Sequence, residues 1–233
     1  MPSRRLRSPA TKLILGEGKD EVGFFRAFLA HHGIAGVTVE EYKFVKRLGG
    51  GRKLRITGVA AVTRTLRALP SRIGFVDLAK ICVTRDVDVK PIADIMAGIG
   101  NALRDADLPS PNRPDAFVES DRGVRVGVFL LPGQGREGTL EDLCLEAIRD
   151  DPAWPCIESY FSCLHEQGLE QPKLASMISK AKIQAWLASR KTADLARVGI
   201  AAQKGYIDWD HAAFDPLKTF LRSLFEDSPP AQT

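Results

Sequence analysis

The first 150 residues alternate between short apolar runs and longer segments in which apolar residues recur at helical spacing. Strand-like runs cover 12–15, 37–44 and 79–88, whereas helical patterns cover 20–31, 58–69 and 91–106. This alternation predicts an α/β fold, in which an open, mostly parallel sheet carries helices on both of its faces.

A hairpin and the start of a helix are predicted next. Two further strand patterns, 116–120 and 124–132, flank a polar turn at 121–123, and we predict that they pair antiparallel. Thr139 is the predicted N-cap of the following helix, and Asp142 three positions later completes a variant of the capping box.

Only helical patterns remain after residue 152, and we predict helices at 153–167, 173–189 and 213–225. The predicted organisation is a basic N-terminal arm (1–11), an α/β domain (12–152), a helical extension packed on it (153–226) and a disordered tail (227–233).

Composition narrows the class of protein. Hydrophobic residues make up 44% of the 233 residues and charged residues 27%, as is usual for a soluble globular protein. No apolar stretch approaches the roughly 20 residues of a membrane span, and the first residues lack the apolar centre of a secretory signal, so we expect a cytoplasmic protein without membrane contact. The four cysteines form no CxxC pair, so neither a disulfide framework nor a zinc ribbon is indicated.

Acidic residues stand where two predicted strands end. Glu17 lies between Gly16 and Gly18 after the first strand, and Asp86 and Asp88 end the strand at 79–88. Ligands of open α/β sheets bind beyond the carboxyl ends of the strands, and neighbouring strands lie about 4.8 Å apart. If these two strands are neighbours, three carboxylates converge, and a cation such as Mg²⁺ would relieve their repulsion. A solvated turn is the alternative interpretation of each acid taken singly.

The stretches "LILGEGKDE" and "ICVTRDVDVK" resemble the signature of the Toprim domain, which topoisomerases, bacterial primases, recombination proteins of the RecR type and OLD-family nucleases share. The resemblance implies a Toprim-like sheet whose metal ligands are Glu17, Asp86 and Asp88. It also makes Asp20 or Glu21 a candidate ligand for a second metal ion.

A third stretch, "VFLLPGQGREGTLEDLCLEA", is similar to compact stand-alone Toprim proteins related to the OLD nucleases. That similarity implies that Glu141 and Asp142 face the metal site, although acids are also favoured at any helix start. "KAKIQAWLAS" resembles the same group, and it makes Lys182 (or Lys180) a candidate for stabilising the transition state. A solvated helix face is the alternative for these lysines.

The resemblance implies a hydrolase, namely a nuclease that cleaves DNA or RNA with one or two Mg²⁺ or Mn²⁺ ions. The surroundings of Tyr42, Tyr160 and Tyr206 do not suggest a topoisomerase nucleophile, and the chain leaves no evident room for primase modules. The main alternative is a non-catalytic Toprim module that binds nucleic acid or a partner protein, although such a module needs no cluster of acids. A receiver-like or phosphatase-like domain would need an aspartate nucleophile where this chain has Glu17.

Basic residues surround the glycine run at 49–51 and are candidate contacts for nucleic-acid phosphates: Lys43, Lys46, Arg47, Arg52, Lys53 and Arg55. Such contacts would be salt-sensitive and largely independent of base sequence, and a solvated basic loop is the alternative. The chain lacks a GxxxxGK[ST] loop, so the resemblance to OLD nucleases suggests an ATPase partner in trans and a role in phage defence. The oligomeric state stays open.

Overall fold

The computed structural model describes residues 12–42, 45–47, 53–55, 59–71, 77–169, 175–191 and 197–226. Its strands are β1 (Lys12–Gly16), β2 (Val37–Glu41), β3 (Val45–Arg47), β4 (Lys53–Arg55), β5 (Lys80–Asp86), β6 (Ala116–Glu119) and β7 (Arg125–Leu131). Its α-helices are α1 (Lys19–His31), α2 (Val59–Ala68), α3 (Ile92–Asp105), α4 (Leu140–Ile148), α5 (Trp154–Glu166), α6 (Ala175–Ala188), α7 (Val198–Gln203) and α8 (Asp215–Phe225).

Five strands form one sheet in the order β2-β1-β5-β7-β6. β1 lies parallel to β2 and β5, β5 lies parallel to β7, and only the edge strand β6 runs antiparallel. The predicted α/β fold with a mostly parallel sheet is therefore confirmed. The predicted antiparallel hairpin, formed by β6 and β7, is also confirmed. β1 and β5 are direct neighbours, with Leu15 opposite Val83, so the acids that follow these strands meet at one edge of the sheet.

The central strands divide their side chains between two apolar layers. Leu13 and Leu15 of β1 pack into a cluster that includes residues of α2 and α3, whereas Ile14 packs into a cluster built by α1, α4, α6, α7 and α8. The alternation follows from the two-residue period of a strand, and each fully buried side chain contributes roughly 1.5–3 kcal/mol. Helices therefore cover both faces of the sheet, as predicted.

The C-terminal helices form part of the main core. Leu221 and Leu224 of α8 are completely buried, and α8 lies against β7. Close packing there depends on Gly127, because a Cβ atom at this position would lie 2.8 Å from Cζ of Phe220. The segment predicted as a helical extension thus supplies much of the apolar layer on one face of the sheet.

Two features differ from the sequence-based expectation. The strand expected at 37–44 ends at Glu41, and the basic segment after it contains the antiparallel ribbon β3-β4. Helix α7 has no counterpart among the predicted helices. Both differences involve elements of only three to six residues, which are too short to show a period.

The arm 1–11 and the tail 227–233 lie outside the described residues. Within the described ranges, no helix combines the length and the apolar character needed to cross a membrane.

Candidate metal-binding site

A cleft of about 480 Å³ lies at the carboxyl ends of β1 and β5. From β1 the chain continues to β2 at one edge of the sheet, and from β5 it continues to β6 and β7 at the other edge. Open α/β sheets place their ligands at such a point, between two neighbouring strands whose connections run in opposite directions. Its charged lining consists of Glu17, Asp20, Glu21, Asp86, Asp88, Glu141, Lys19, Lys180 and Arg197. The structure therefore brings all the predicted acids together except Asp142.

The glycines beside Glu17 make room for a second carboxylate. A Cβ atom on Gly16 would lie 3.1 Å from Cβ of Glu21, and one on Gly18 would lie 3.0 Å from Oε2 of Glu21. Gly18 is also the extended N-cap of α1, and its carbonyl accepts the N–H of Val22 at 3.1 Å. The turn thus lets the first helical turn place Glu21 directly beneath the end of β1.

Glu21 is only 8% exposed, although it is a carboxylic acid. Burial raises the pKa of Glu21 from 4.5 to about 7, a backbone hydrogen bond opposes this rise, and the charges of Glu17 and Glu141 add to it. Glu21 is therefore partly protonated at neutral pH, unlike an exposed glutamate.

Asp86 is the last residue of β5 and contacts the start of helix α4. Its Oδ1 accepts the N–H of Leu140 at 2.8 Å, which is the first helical residue of α4. Burial raises the pKa of Asp86 well above its usual range, and the charges of Glu21 and Glu141 raise it further, while the hydrogen bond from Leu140 opposes them. A buried acid is held here at a helix N-terminus and still lacks sufficient countercharge.

Asp88 lies just beyond β5 in a left-handed conformation with φ of 54°. Its N–H donates to the carbonyl of Gly138 at 2.8 Å, and the N–H of Gly138 donates back at 3.1 Å. This isolated bridge fixes Asp88 next to the segment that leads into α4. Asp88 thus reaches the cleft through a turn, and not as a strand residue in line with Asp86.

Glu141 and Lys180 face each other across the cleft, with Oε1 and Nζ 3.9 Å apart. Burial raises the pKa of Glu141, and the charge of Lys180 partly offsets this. Burial by itself would lower the pKa of Lys180, but the charges of Glu141 and Asp86 raise it overall. Lys180 therefore stays protonated at the side of the acidic cluster.

Helix α7 closes the other side of the cleft. Asp20 accepts hydrogen bonds from Arg197 Nη2 at 3.0 Å and Nε at 3.2 Å, and from the Gly199 N–H at 3.3 Å. The two helices touch through their backbones, because a Cβ atom on Gly23 would lie 2.7 Å from the carbonyl oxygen of Gly199. Asp20 therefore holds α7 in place, which leaves it less free to bind a metal than the sequence suggested.

Asp142 does not line the acidic cleft. Its Oδ2 accepts the N–H of Thr139 at 2.7 Å and its Oδ1 accepts the hydroxyl of Ser179 at 2.5 Å. The capping box predicted for α4 is confirmed. Because Asp142 completes that cap and also binds α6, the structure gives it a structural position, and we no longer count it among the metal ligands.

Lys182 also lies elsewhere. Its Nζ binds Oε1 of Glu158 at 2.6 Å and sits 5.6 Å from the centre of the Trp154 ring. Residues two apart on a helix point about 200° from each other, so the acidic cleft receives Lys180, which the sequence offered as the alternative. Lys182 instead lines a larger cleft of about 740 Å³ between α4, α5 and α6, where Arg136 is likewise paired with Glu146.

The six basic residues proposed for nucleic-acid contact are described only in part. Lys46 and Arg47 lie on β3, and Lys53 and Arg55 lie on β4, with Arg47 opposite Lys53. Lys43 and Arg52 lie outside the described residues. Phosphate binding by this ribbon stays a prediction.

Sequence reasoning did not identify Lys19 or Arg197 as residues of the cleft. Lys19 begins helix α1 directly after the glycine turn. Its closeness to Glu17 in the sequence could have indicated that it lies at the cleft. Arg197 is 177 residues away from its partner Asp20 in the sequence, and no local sequence pattern predicts their contact.

Fold and cleft together define an α/β protein with a carboxylate-lined site at the carboxyl ends of its central strands. The chain belongs to the DUF3226 family, described as a protein of unknown function, whose sequence model matches residues 11–226. Neither a curated protein nor a solved structure matches the chain.

Proposed function

We propose that the acidic cleft binds Mg²⁺ or Mn²⁺ and that the protein hydrolyses phosphodiester bonds of DNA or RNA. The observation that carries this proposal is the convergence of buried carboxylates whose pKa values are raised, above all Glu21 and Asp86. Ionised carboxylates that share one cleft repel each other. Binding of a cation therefore lowers the free energy of a site of this kind.

The donor set fits a hard divalent ion. The candidate ligands are carboxylates: Glu17 and Glu21 follow β1, Asp86 ends β5, and Asp88 lies just beyond it. Oxygen ligands of this kind suit Mg²⁺ and Mn²⁺. A bound ion would polarise the attacking water and stabilise negative charge on the phosphate oxygens.

The chain's own cations can hold the substrate. Lys180 stays protonated and about half exposed at the cleft, so its ammonium group can contact a phosphate oxygen. Lys19 is exposed on the same cleft. The basic ribbon β3-β4 follows the edge strand β2 and would bind more distant phosphates of a long substrate.

The resemblance to the Toprim domain supports this proposal, because the residues of its signature, Glu17, Asp86 and Asp88, all line the cleft. An ATPase partner in trans and a role in phage defence rest on the resemblance to OLD nucleases alone. A cytoplasmic location is an expectation from the sequence.

The test uses the full chain with labelled single- and double-stranded DNA and RNA, in Mg²⁺, in Mn²⁺ and in chelator. We expect metal-dependent cleavage that Asp86→Asn and Glu17→Gln abolish without loss of folding. Glu166→Gln removes an exposed charge at the end of α5 and serves as the matched control.

The proposal fails if the protein leaves all four substrates intact with both metals and its melting temperature does not respond to either ion. Binding of nucleic acid without cleavage, unaffected by Asp86→Asn, would favour the non-catalytic module instead.

A further inference from the structure

A second cluster of metal-ligand side chains lies at the far end of α1. His31 ends the helix, His32 is its C-cap, and Asp210 lies in the turn that precedes α8. One ligand atom from each of the three residues lies within 4.8 Å of the others. Because α1 has 13 residues at about 1.5 Å each, this cluster is roughly 20 Å from the acidic cleft.

The spacing suits a small coordination sphere. Nε2 of His31 and Oδ1 of Asp210 are 3.3 Å apart. Two ligands of a tetrahedral zinc ion, each bound at about 2.0–2.1 Å, are separated by roughly 3.3 Å. His31 and Asp210 are both exposed, so modest rotations of their side chains can close the remaining distances to His32.

The backbone that carries these residues is fixed by packing. Trp209, next to Asp210, is buried against the rings of Phe24 and Phe28 at 5.2 and 5.6 Å. The ring of His32 lies 4.4 Å from that of Phe28. The turn and the helix end are therefore held side by side by the aromatic core beneath them, independently of any ion.

His32 has an unused polar atom at this place. Its Nε2 is shielded from solvent and has no hydrogen-bond partner in the part of the chain that the structure describes. Buried polar atoms are normally paired, so an unpaired nitrogen on a histidine that lies next to a second histidine and a carboxylate needs an explanation. A ligand that reorients the ring would supply one.

Nearby cations are balanced by their own acids. Lys218 and Arg222 both face His32 and would disfavour a bound cation. Lys218, however, lies 2.8 Å from Asp215. Arg222 lies 3.9 Å from Glu226, and it also donates a hydrogen bond to the backbone carbonyl of His32 at 3.1 Å, which directs part of its charge away from the imidazole nitrogens. Within the part of the chain that the structure describes, the basic side chain paired with the carboxylate of Asp210 is that of His31, so the charge of Asp210 is available to the cluster.

We propose that His31, His32 and Asp210 form a binding site for a divalent transition-metal ion, with Zn²⁺ as the best-suited probe. Two imidazoles and one carboxylate favour a borderline-soft ion over Mg²⁺, and three protein ligands leave a position open for water or another ligand. The bound ion would join the end of α1 to the turn before α8. This site is independent of the function proposed for the acidic cleft.

The experiment is a titration of the full chain with Zn²⁺ and with Co²⁺, followed by calorimetry and by the absorption of bound Co²⁺. The background is Glu17→Gln combined with Asp86→Asn, which disables the acidic cleft. We expect one ion per chain, no competition from excess Mg²⁺, and a Co²⁺ spectrum without a thiolate band. His31→Gln and Asp210→Asn change exposed side chains, and each should weaken binding at least ~10-fold. His165→Gln, an exposed histidine on α5, should leave binding unchanged.

The proposal is overturned if the background protein shows no saturable binding of Zn²⁺. It is equally overturned if His31→Gln and Asp210→Asn bind as tightly as the background, or if a thiolate band appears, which would assign the ion to the exposed Cys156 or Cys163. Circular dichroism of each variant separates loss of a ligand from loss of folding.

Discussion

Replacing Glu21 by glutamine should stabilise the metal-free protein at alkaline pH. The pKa of Glu21 is about 7 in the native state against an ordinary 4.5, so the native state holds a proton that the unfolded chain releases at lower pH. Stability therefore falls as pH rises from 4.5 through about 7, and the loss is complete above that window. Since one pKa unit corresponds to about 1.4 kcal/mol, ionised Glu21 costs the native state about 3 kcal/mol.

Glu21→Gln keeps the shape of the side chain and removes this cost. In chelator at pH 8 we expect the variant to unfold with a free energy about 3 kcal/mol larger than that of the wild type. At pH 4.5 the difference should nearly vanish, because wild-type Glu21 is then protonated in the native state. Urea denaturation followed by circular dichroism, at several pH values, measures both quantities.

Two controls make the result specific to the acidic cleft. Glu166→Gln makes the same change on an exposed surface, and it should shift stability by less than about 0.5 kcal/mol at either pH. Saturating Mg²⁺ should stabilise the wild type more than Glu21→Gln, because the ion favours the ionised carboxylates. If Glu21→Gln unfolds at the same urea concentration as the wild type across this pH range, the burial argument is wrong.

Two further predictions concern the sides of the cleft. Gly199→Ala places a Cβ atom 2.6 Å from the backbone oxygen of Asp20, which cannot move without shifting α1, so we expect a loss of about 1–3 kcal/mol in urea denaturation. A variant as stable as the wild type would show that α1 and α7 separate easily. Lys180→Met should lower the cleavage rate by tenfold or more, whereas Lys182→Met should leave it near the wild-type value, because only Lys180 lies among the acids. Equal effects of the two substitutions on the turnover rate would contradict these positions.

The sheet and its acids could be predicted because local patterns determine them. The apolar runs that end at Gly16 and Asp86 are buried on both faces of the sheet, so the strands and their carboxyl ends are visible in the sequence. The capping box of Thr139 and Asp142 was equally local. The same locality misled the prediction for Asp142, because a residue that completes a cap has little left to offer a metal.

Residues that balance the acids could not be predicted, because long-range packing places them. Helix α7 has six residues, which is too short for an apolar period and too short to be stable without a partner. It forms where Gly23 and Gly199 let two backbones touch, and a glycine in a sequence ordinarily indicates a turn. This contact between α1 and α7 brings Arg197 to Asp20. The carboxylate of Asp20 is therefore used to hold α7 against α1. The strand ends thus determine which acids meet, whereas contacts between distant helices determine which of those acids remain free to bind a metal ion.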